Sequence, residues 1–141
     1  MGATDDSGEH EAVVREAFLE TMGEGEVEAV AEYFADTVEY YRSSGELAGR
    51  SDLESDIAMF HAAFPDLEGE IQRIMSGDGK VSFLYKLTGT HEGEFEGIPP
   101  THQEMDAKGA AIARVEDGAI TEYRIVFDNL GMLEQLGVLG E

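Results

Sequence analysis

The chain contains no cysteine, which excludes disulfides, thiolate nucleophiles and thiolate-held metals and leaves redox compartment unreadable. No apolar run approaches the roughly 18 residues that a membrane-crossing helix needs. The opening "MGATDDSGEHEAVV" has neither the basic stretch nor the apolar core of a secretory signal. Together these point to a soluble, cytoplasmic protein with no membrane partner. Bases are scarce as well: nine Lys and Arg stand against 31 Asp and Glu, a formal net charge of −22. The acids recur along the whole length, so they describe a solvated acidic surface rather than a binding arm. Nucleic acid, itself a polyanion, is not an expected partner.

The few bases are mostly arginine, with Lys80, Lys86 and Lys108 the only lysines. That balance resembles the proteins of salt-loving archaea, which work where the Debye length is about 3 Å or less and self-repulsion is screened.

What is present suits one domain. The 141 residues are 42 % hydrophobic, enough for a core. Residues 1–8, "MGATDDSG", are small and polar and read as a flexible tail; residues 9–141 read as a single domain without repeat or linker. Val13, Val14, Ala17, Phe18 and Leu19 fall at helical spacing, which predicts a first helix ending near Gly23. "EVEAVAEYF" predicts a second, and "SDLESDIAMFHAAF" a third, with Ser51 as N-cap, Glu54 as its capping-box partner and a stop before Pro65. The period then changes to two. "LEGEIQRIM", "KVSFLYKLTGTHE", "HQEMDAKGAAIARVE" and "AITEYRIVFD" read as strands, following an earlier short one, "TVEYYR". "EDGA" is a hairpin signal, because Asp-Gly supplies the positive φ values of a primed turn. "NLGMLEQLG" closes the chain as a short amphipathic helix.

Three helices followed by an antiparallel meander make an α+β domain, with the helices on one face of a curved sheet. A strongly bent sheet wrapped against helices is a cone, and its open mouth and apolar interior form a pocket. Within "KVSFLYKLTGTH", Val81, Phe83, Tyr85, Leu87, Gly89 and His91 share one face. His91 thus ends the row that lines the cone. Two readings stay open: it hydrogen-bonds to loop backbone and caps the strand, or it faces a ligand. In the following "EGEFEGIPPT", Gly93 and Gly97 let the chain turn and Pro99-Pro100 stiffens a rim. On the last strand Glu122, Arg124, Val126 and Asp128 share one face, and Tyr123, Ile125 and Phe127 the other. Met59, Met75, Met105 and Met132 sit at core spacing and read as filler. The four histidines show no His-x-His or His-x-x-x-His pair, and no metal is expected.

"FPDLEGEI", "GTHEGEFEGIPPT", "ARVEDGAITEY" and "FDNLGMLEQLGV" occur in the order and spacing of the SnoaL-like polyketide cyclases, of the nuclear transport factor 2-like superfamily. The resemblance covers roughly residues 10 to 138 and implies the cone just described. It also implies a homodimer, a small-molecule ligand in the cone, and an intramolecular aldol ring closure by general acid/base catalysis with no metal or organic cofactor. The family's acid stands just before the closing "LG" segment, where this chain has Asp128. The resemblance therefore turns the Glu122–Asp128 face toward the cavity, with Asp128 as acid/base, His91 as a second or orienting group and Arg124 and Val126 as ligand contacts; ion pairs on an exposed sheet face are the alternative. Phe83, Tyr85, Tyr41 (or Tyr40) and Phe60 complete the expected wall, with His61 also on the third helix and core packing the alternative for each. The chain departs from the pattern where relatives carry Trp in the last strand, as in "EEWVVWD"-like runs, since Arg124 and Phe127 stand there. Two sister chemistries fit less well: a steroid-isomerase base is missing where "VEY" places Tyr40, and no strand reads Arg-x-Asp as the epoxide hydrolases require. The expected function is thus a cofactor-free cyclase or isomerase acting on a small carbonyl compound. The alternative is a non-catalytic binding or dimerisation module in which Arg124 grips a carboxylate.

The charge carries a direct test. Lowering salt from molar to about 0.1 M removes screening among the acids and should lower the melting temperature. A melting temperature that stays flat or rises on desalting contradicts the reading.

Overall fold

Alternation and helical spacing decide which side each residue of the cone takes, and the computed structural model describes residues 7–138 of the chain. Helix α1 (Ser7–Phe18) buries Val14, Ala17 and Phe18 and carries Glu9 in its first turn, where the exposed amides favour an acid. It takes in two residues of the expected tail; the rest of that tail lies outside the described residues. The helix runs on through a π-helical turn, Leu19–Gly23, inside which the Thr21 hydroxyl donates to the Ala17 carbonyl at 2.6 Å. The second helix is shorter than its apolar stripe suggests. Only Ala29–Tyr33 is helical (α2), because Phe34 is drawn into strand β1 (Phe34–Tyr41), where it pairs with Ile120. Sheet pairing overrides local propensity there.

After the two-residue strand β2 (Leu47–Ala48), helix α3 spans Arg50–Ala63. Its cap is Gly49 rather than Ser51. The Gly49 N–H donates to the Asp52 carboxylate at 2.9 Å, so Asp52 makes the return bond expected of Glu54, and Ser51 lies inside the first turn. The helix stops before Pro65, as its sequence predicts.

Strands β3 (Glu68–Gly77), β4 (Lys80–Thr90), β5 (Glu104–Glu116) and β6 (Ala119–Phe127) form a meander, and the sheet order is β2-β1-β6-β5-β4-β3. Both tight hairpins are primed turns: Asp78-Gly79 has φ of 55° and 75°, and Asp117-Gly118 has 52° and 80°. The sheet is not wholly antiparallel, since β1 runs parallel to β6. No hairpin joins those two strands; α3 and the whole meander lie between them in sequence, which leaves a parallel pairing open. The α+β cone is present, with α1 packed on β3 and β4 and α3 on β1. Helix α4 (Asn129–Leu136) lies along β5, buries Met132 and Leu136, and ends at Gly137 with φ 77°. No helix among the described residues is long and apolar enough to cross a membrane.

Two register shifts reset the alternation. One falls between Ile71 and Arg73 of β3, so Ile71 and Ile74 pack against the core while Met75 turns outward at 66 % exposure. The expectation that Met75 fills the core fails for that reason: an inserted residue flips every later side chain to the other face. The other shift, between Arg114 and Val115, keeps both Ile120 and Tyr123 of β6 inside.

Candidate functional site

Where α1 and its π turn, α3 and the inner sheet face converge, a cavity of about 220 Å³ remains. Phe18, Met22, Leu53, Ile57 and Phe60 form its helical side, and Tyr85, Leu87, Tyr123, Ile125 and Phe127 its sheet side. The aromatic rings are mutually braced. Tyr85 lies parallel to Phe127 (4° between planes, centroids 6.3 Å apart) and tilts against Phe18 at 5.3 Å. Phe60 meets Phe127 edge-on at 5.9 Å. The volume is below the roughly 300–1,000 Å³ of drug-sized sites, so it suits a compact ligand.

Besides Thr21, Ser43, Ser44, Glu96 and Asn129, the wall carries two sets of polar groups. In the first, the Tyr40 hydroxyl donates to Asp56 Oδ2 at 2.7 Å, and Arg42 grips the same carboxylate twice, Nε to Oδ2 at 2.9 Å and Nη2 to Oδ1 at 3.1 Å. Arg42 Nη1 donates to Glu46 at 3.1 Å. The second set is Tyr85 and Tyr123. Neither hydroxyl has a hydrogen-bond partner among the described residues, yet the only fully enclosed side-chain polar atom lacking a partner there is His91 Nε2. Both hydroxyls therefore open onto space, and both rings line the cavity. The Tyr85 hydroxyl reaches over Gly109, where a Cβ would come within 2.5 Å of it, so only glycine fits. Burial pushes the Tyr85 and Tyr123 phenols well above the ordinary range, and burial with the Asp56 hydrogen bond does the same to Tyr40. All three stay neutral, and the two unpartnered ones are donors awaiting an acceptor.

Of the expected site residues, Tyr85 and Phe60 line the cavity, and Phe83 is buried behind Tyr85 and Phe18. Tyr40, the alternative to Tyr41, also lines it, and the others do not. On β6 the inner face is Tyr123, Ile125 and Phe127; Arg124 and Val126 point outward, Val126 at 65 % exposure. Outside the cone, Arg124 donates to Glu122 at 2.5 Å and stacks on Tyr41 at 3.8 Å, so Tyr41 is also on the outer face. Arg124 holds the Glu122 carboxyl below its usual range. The exposed-face alternative describes this strand. The apolar residues claimed the interior and left the charges outside.

His91 is inward and fully buried but packs against Phe64 at 5.5 Å, away from the cavity wall. Its Nδ1 accepts from the Thr101 N–H at 3.2 Å and lies 3.0 Å from the Thr101 hydroxyl. This is the strand-capping reading, with the imidazole pinning the start of the 91–103 loop to its end. Asp128 is exposed and caps α4, its Oδ1 accepting from the Gly131 N–H at 2.8 Å. It stands next to Asn129, which does line the cavity.

Of the polar wall the sequence pointed to Tyr40 as the alternative to Tyr41, whereas Asp56, Arg42 and Tyr123 were not expected there. Asp56 had a signal: it lies at helical spacing within the apolar stripe Leu53, Ile57, Phe60, an acid on a core-facing line. Tyr123 had one too, in its alternation with Ile125 and Phe127.

The family pattern described as SnoaL-like polyketide cyclase matches residues 12–136. Among functionally curated proteins none matches. A SnoaL-like polyketide cyclase structure from Jannaschia sp. CCS1 superposes with TM-score 0.87 at 21 % identity, covering 100 % of this chain and 99 % of its own. IdmH, described as a polyketide cyclase, from Streptomyces antibioticus gives 0.80 at 27 % identity, covering 92 % and 99 %. AclR, described as a hydroxylase, from Streptomyces galilaeus gives 0.86 at 24 % identity, covering 96 % and 89 %. The fold is shared by proteins named for different chemistries, so the reaction has to be argued from the site.

The cap geometry separates two roles of Asp128. Asp128→Ala should cost about 0.5–2 kcal/mol in a denaturant melt, whereas Asp128→Asn, which still caps, should cost almost nothing. Neither should change ligand binding in the cavity. A normal melt with turnover of a carbonyl substrate lowered by about 10² to 10⁴ in Asp128→Asn would instead make it the acid/base group.

Proposed function

The chain belongs to the SnoaL-like polyketide cyclase family, and we propose that its cavity binds a compact, neutral, polyketide-like carbonyl compound and promotes ring closure or isomerisation through the enol. One observation carries this reading: two neutral, buried phenols, Tyr85 and Tyr123, line an apolar cavity without a hydrogen-bond partner among the described residues. A carbonyl oxygen is an acceptor that both can serve. Enolisation carries the α-carbon proton, through a water molecule, to that oxygen and shifts electron density there, where fixed donors in an apolar site are worth most. In an aldol closure the enol carbon then bonds to a second carbonyl carbon in the same molecule as that C=O π bond opens, the first carbonyl re-forms, and the proton released from the enol oxygen passes to the new alkoxide. A 1,3-dicarbonyl already has an acidic carbon, so proximity and orientation supply much of the remaining barrier.

The same reading includes a homodimer. On the outer sheet face Met75, Leu84, Ile112 and Val126 are all exposed large hydrophobics. Cross-strand pairing joins them into one patch through Ser82 and Ala110, and Arg73 and Arg124 pair into it. On a chain of net charge −22, a patch holding apolar residues and two of the few bases is where a second copy meets least repulsion. Sedimentation in molar salt should return a dimer that Val126→Glu converts to monomer; a monomeric wild type overturns it.

For the cavity, the probe is 1-phenyl-1,3-butanedione, titrated calorimetrically in molar salt. Tyr85→Phe and Tyr123→Phe should each weaken binding roughly 3- to 10-fold, the worth of one neutral hydrogen bond. Melting should not fall, since neither hydroxyl bonds to protein. Unchanged binding in both variants overturns the reading.

A further inference from the structure

In the cavity that the two donors line, the Asp56 carboxylate presents an acceptor. A carboxylate has about four acceptor positions. Three are filled: Oδ2 by the Tyr40 hydroxyl and Arg42 Nε, Oδ1 by Arg42 Nη2. One remains on a group that lines the cavity and whose side chain keeps 23 % of its accessible surface. The charge around it is one-sided. Arg42 is shared among Asp56, Glu46 at 3.1 Å and Asp52 at 3.9 Å, so the guanidinium is already more than neutralised. Its Nε, Nη1 and Nη2 all face these acids. A ligand carboxylate would meet net negative charge here, and a ligand hydroxyl would meet an acceptor.

The register brings the two sets together. Tyr40 of β1 and Tyr123 of β6 are cross-strand partners, their rings stacked with centroids 6.3 Å apart. One phenol is spent on holding Asp56, and its neighbour is free to donate. The acceptor that Tyr40 holds thus lines the same cavity as the donor on the neighbouring strand. We propose that Asp56, positioned by Tyr40 and Arg42, is a hydroxyl-recognition subsite, so that the ligand is a neutral molecule carrying a hydroxyl beside a carbonyl: the enol of a 1,3-dicarbonyl or a β-hydroxy ketone. This rests on the carbonyl reading of Tyr85 and Tyr123 and adds the second half of the ligand.

The test compares 1-phenyl-1,3-butanedione with the methyl ether of its enol, which keeps the carbonyl acceptor and lacks the hydroxyl. Wild type should bind the free enol at least about tenfold more tightly. Asp56→Asn should erase that preference and leave the ether's affinity within about twofold, because the one asparagine acceptor is claimed by Tyr40 and Arg42 and its amide turns a donor to the ligand. Simple exclusion of the methyl group would survive the substitution. Tyr40→Phe, which spares the carboxylate, should keep the preference. Equal binding of the two probes by wild type, or an unchanged preference in Asp56→Asn, overturns the subsite while leaving the donor reading standing. Binding of neither probe overturns both. Should Asp56→Asn fail to fold, wild type is titrated with 1-phenyl-1-butanone, which has neither the hydroxyl nor the added methyl ether: binding as weak as the ether's supports the subsite, and binding as tight as the free enol's overturns it.

Discussion

Everything in this molecule depends on the period of two along a bent sheet. A residue of β4 or β6 points either into the cone or to its outer face, and one inserted residue exchanges the sets. The apolar content of each strand picks the register: Val81, Phe83, Tyr85 and Leu87 on β4, and Tyr123, Ile125 and Phe127 on β6, are the largest apolar sets available, and they go inside. Moving β6 by one residue would bury Glu122 and Arg124 against phenylalanine, at a desolvation cost far above any gain from their mutual attraction. The cavity's aromatic lining and its lack of free charge on the sheet side are two results of that single choice.

Part of the cavity wall comes from the 91–103 loop, which the end of α3 holds. The Ala63 carbonyl accepts from both the Glu92 and Gly93 N–H, at 2.9 and 3.0 Å. Gly93 approaches the Ala62 carbonyl so closely that a Cβ would overlap it, which explains the residue. His91 ties the two ends of the loop together: its own N–H donates to the Gln103 carbonyl and its carbonyl accepts from His102, both at 2.9 Å. Phe95 is thereby delivered to the cavity, packed on Phe60 at 5.3 Å. The histidine shapes the site at a distance, through the aromatic ring its loop presents.

The cone and the hairpins were legible because they rest on local rules: alternation, helical spacing, Asp-Gly turns. The wall of the site was legible only in part. Tyr85 and Phe60 follow from position in an apolar row. Arg124, Val126 and Tyr41 were misplaced because a likeness of sequence was allowed to choose the face of β6, when the Tyr123, Ile125, Phe127 alternation already chose it. Asp56 was hidden for a different reason. Its meaning lies in Tyr40 and Arg42, on a strand whose approach to α3 no local pattern encodes. The parallel pairing of β1 with β6 is non-local in the same way, and it is what sets Tyr40 beside Tyr123.

A chain of net charge −22 also constrains how a ligand can be held. Exposed charge pairs weaken as salt rises, and a protein with this surface is expected to need salt. A cavity that recognised its ligand by free charge at the mouth would lose that recognition in the molar salt that such a surface is expected to need. Phenol hydroxyls in an apolar wall escape the conflict: they carry no net charge, and burial keeps them protonated. The one charged group on the wall that the ligand is proposed to meet, Asp56, is half-buried and hydrogen-bonded to a bidentate arginine, so its geometry is fixed by short contacts rather than by long-range field. An acidic exterior and a neutral, aromatic, hydrogen-bonding interior are therefore one solution to a single demand, that binding keep its strength where the fold is stable.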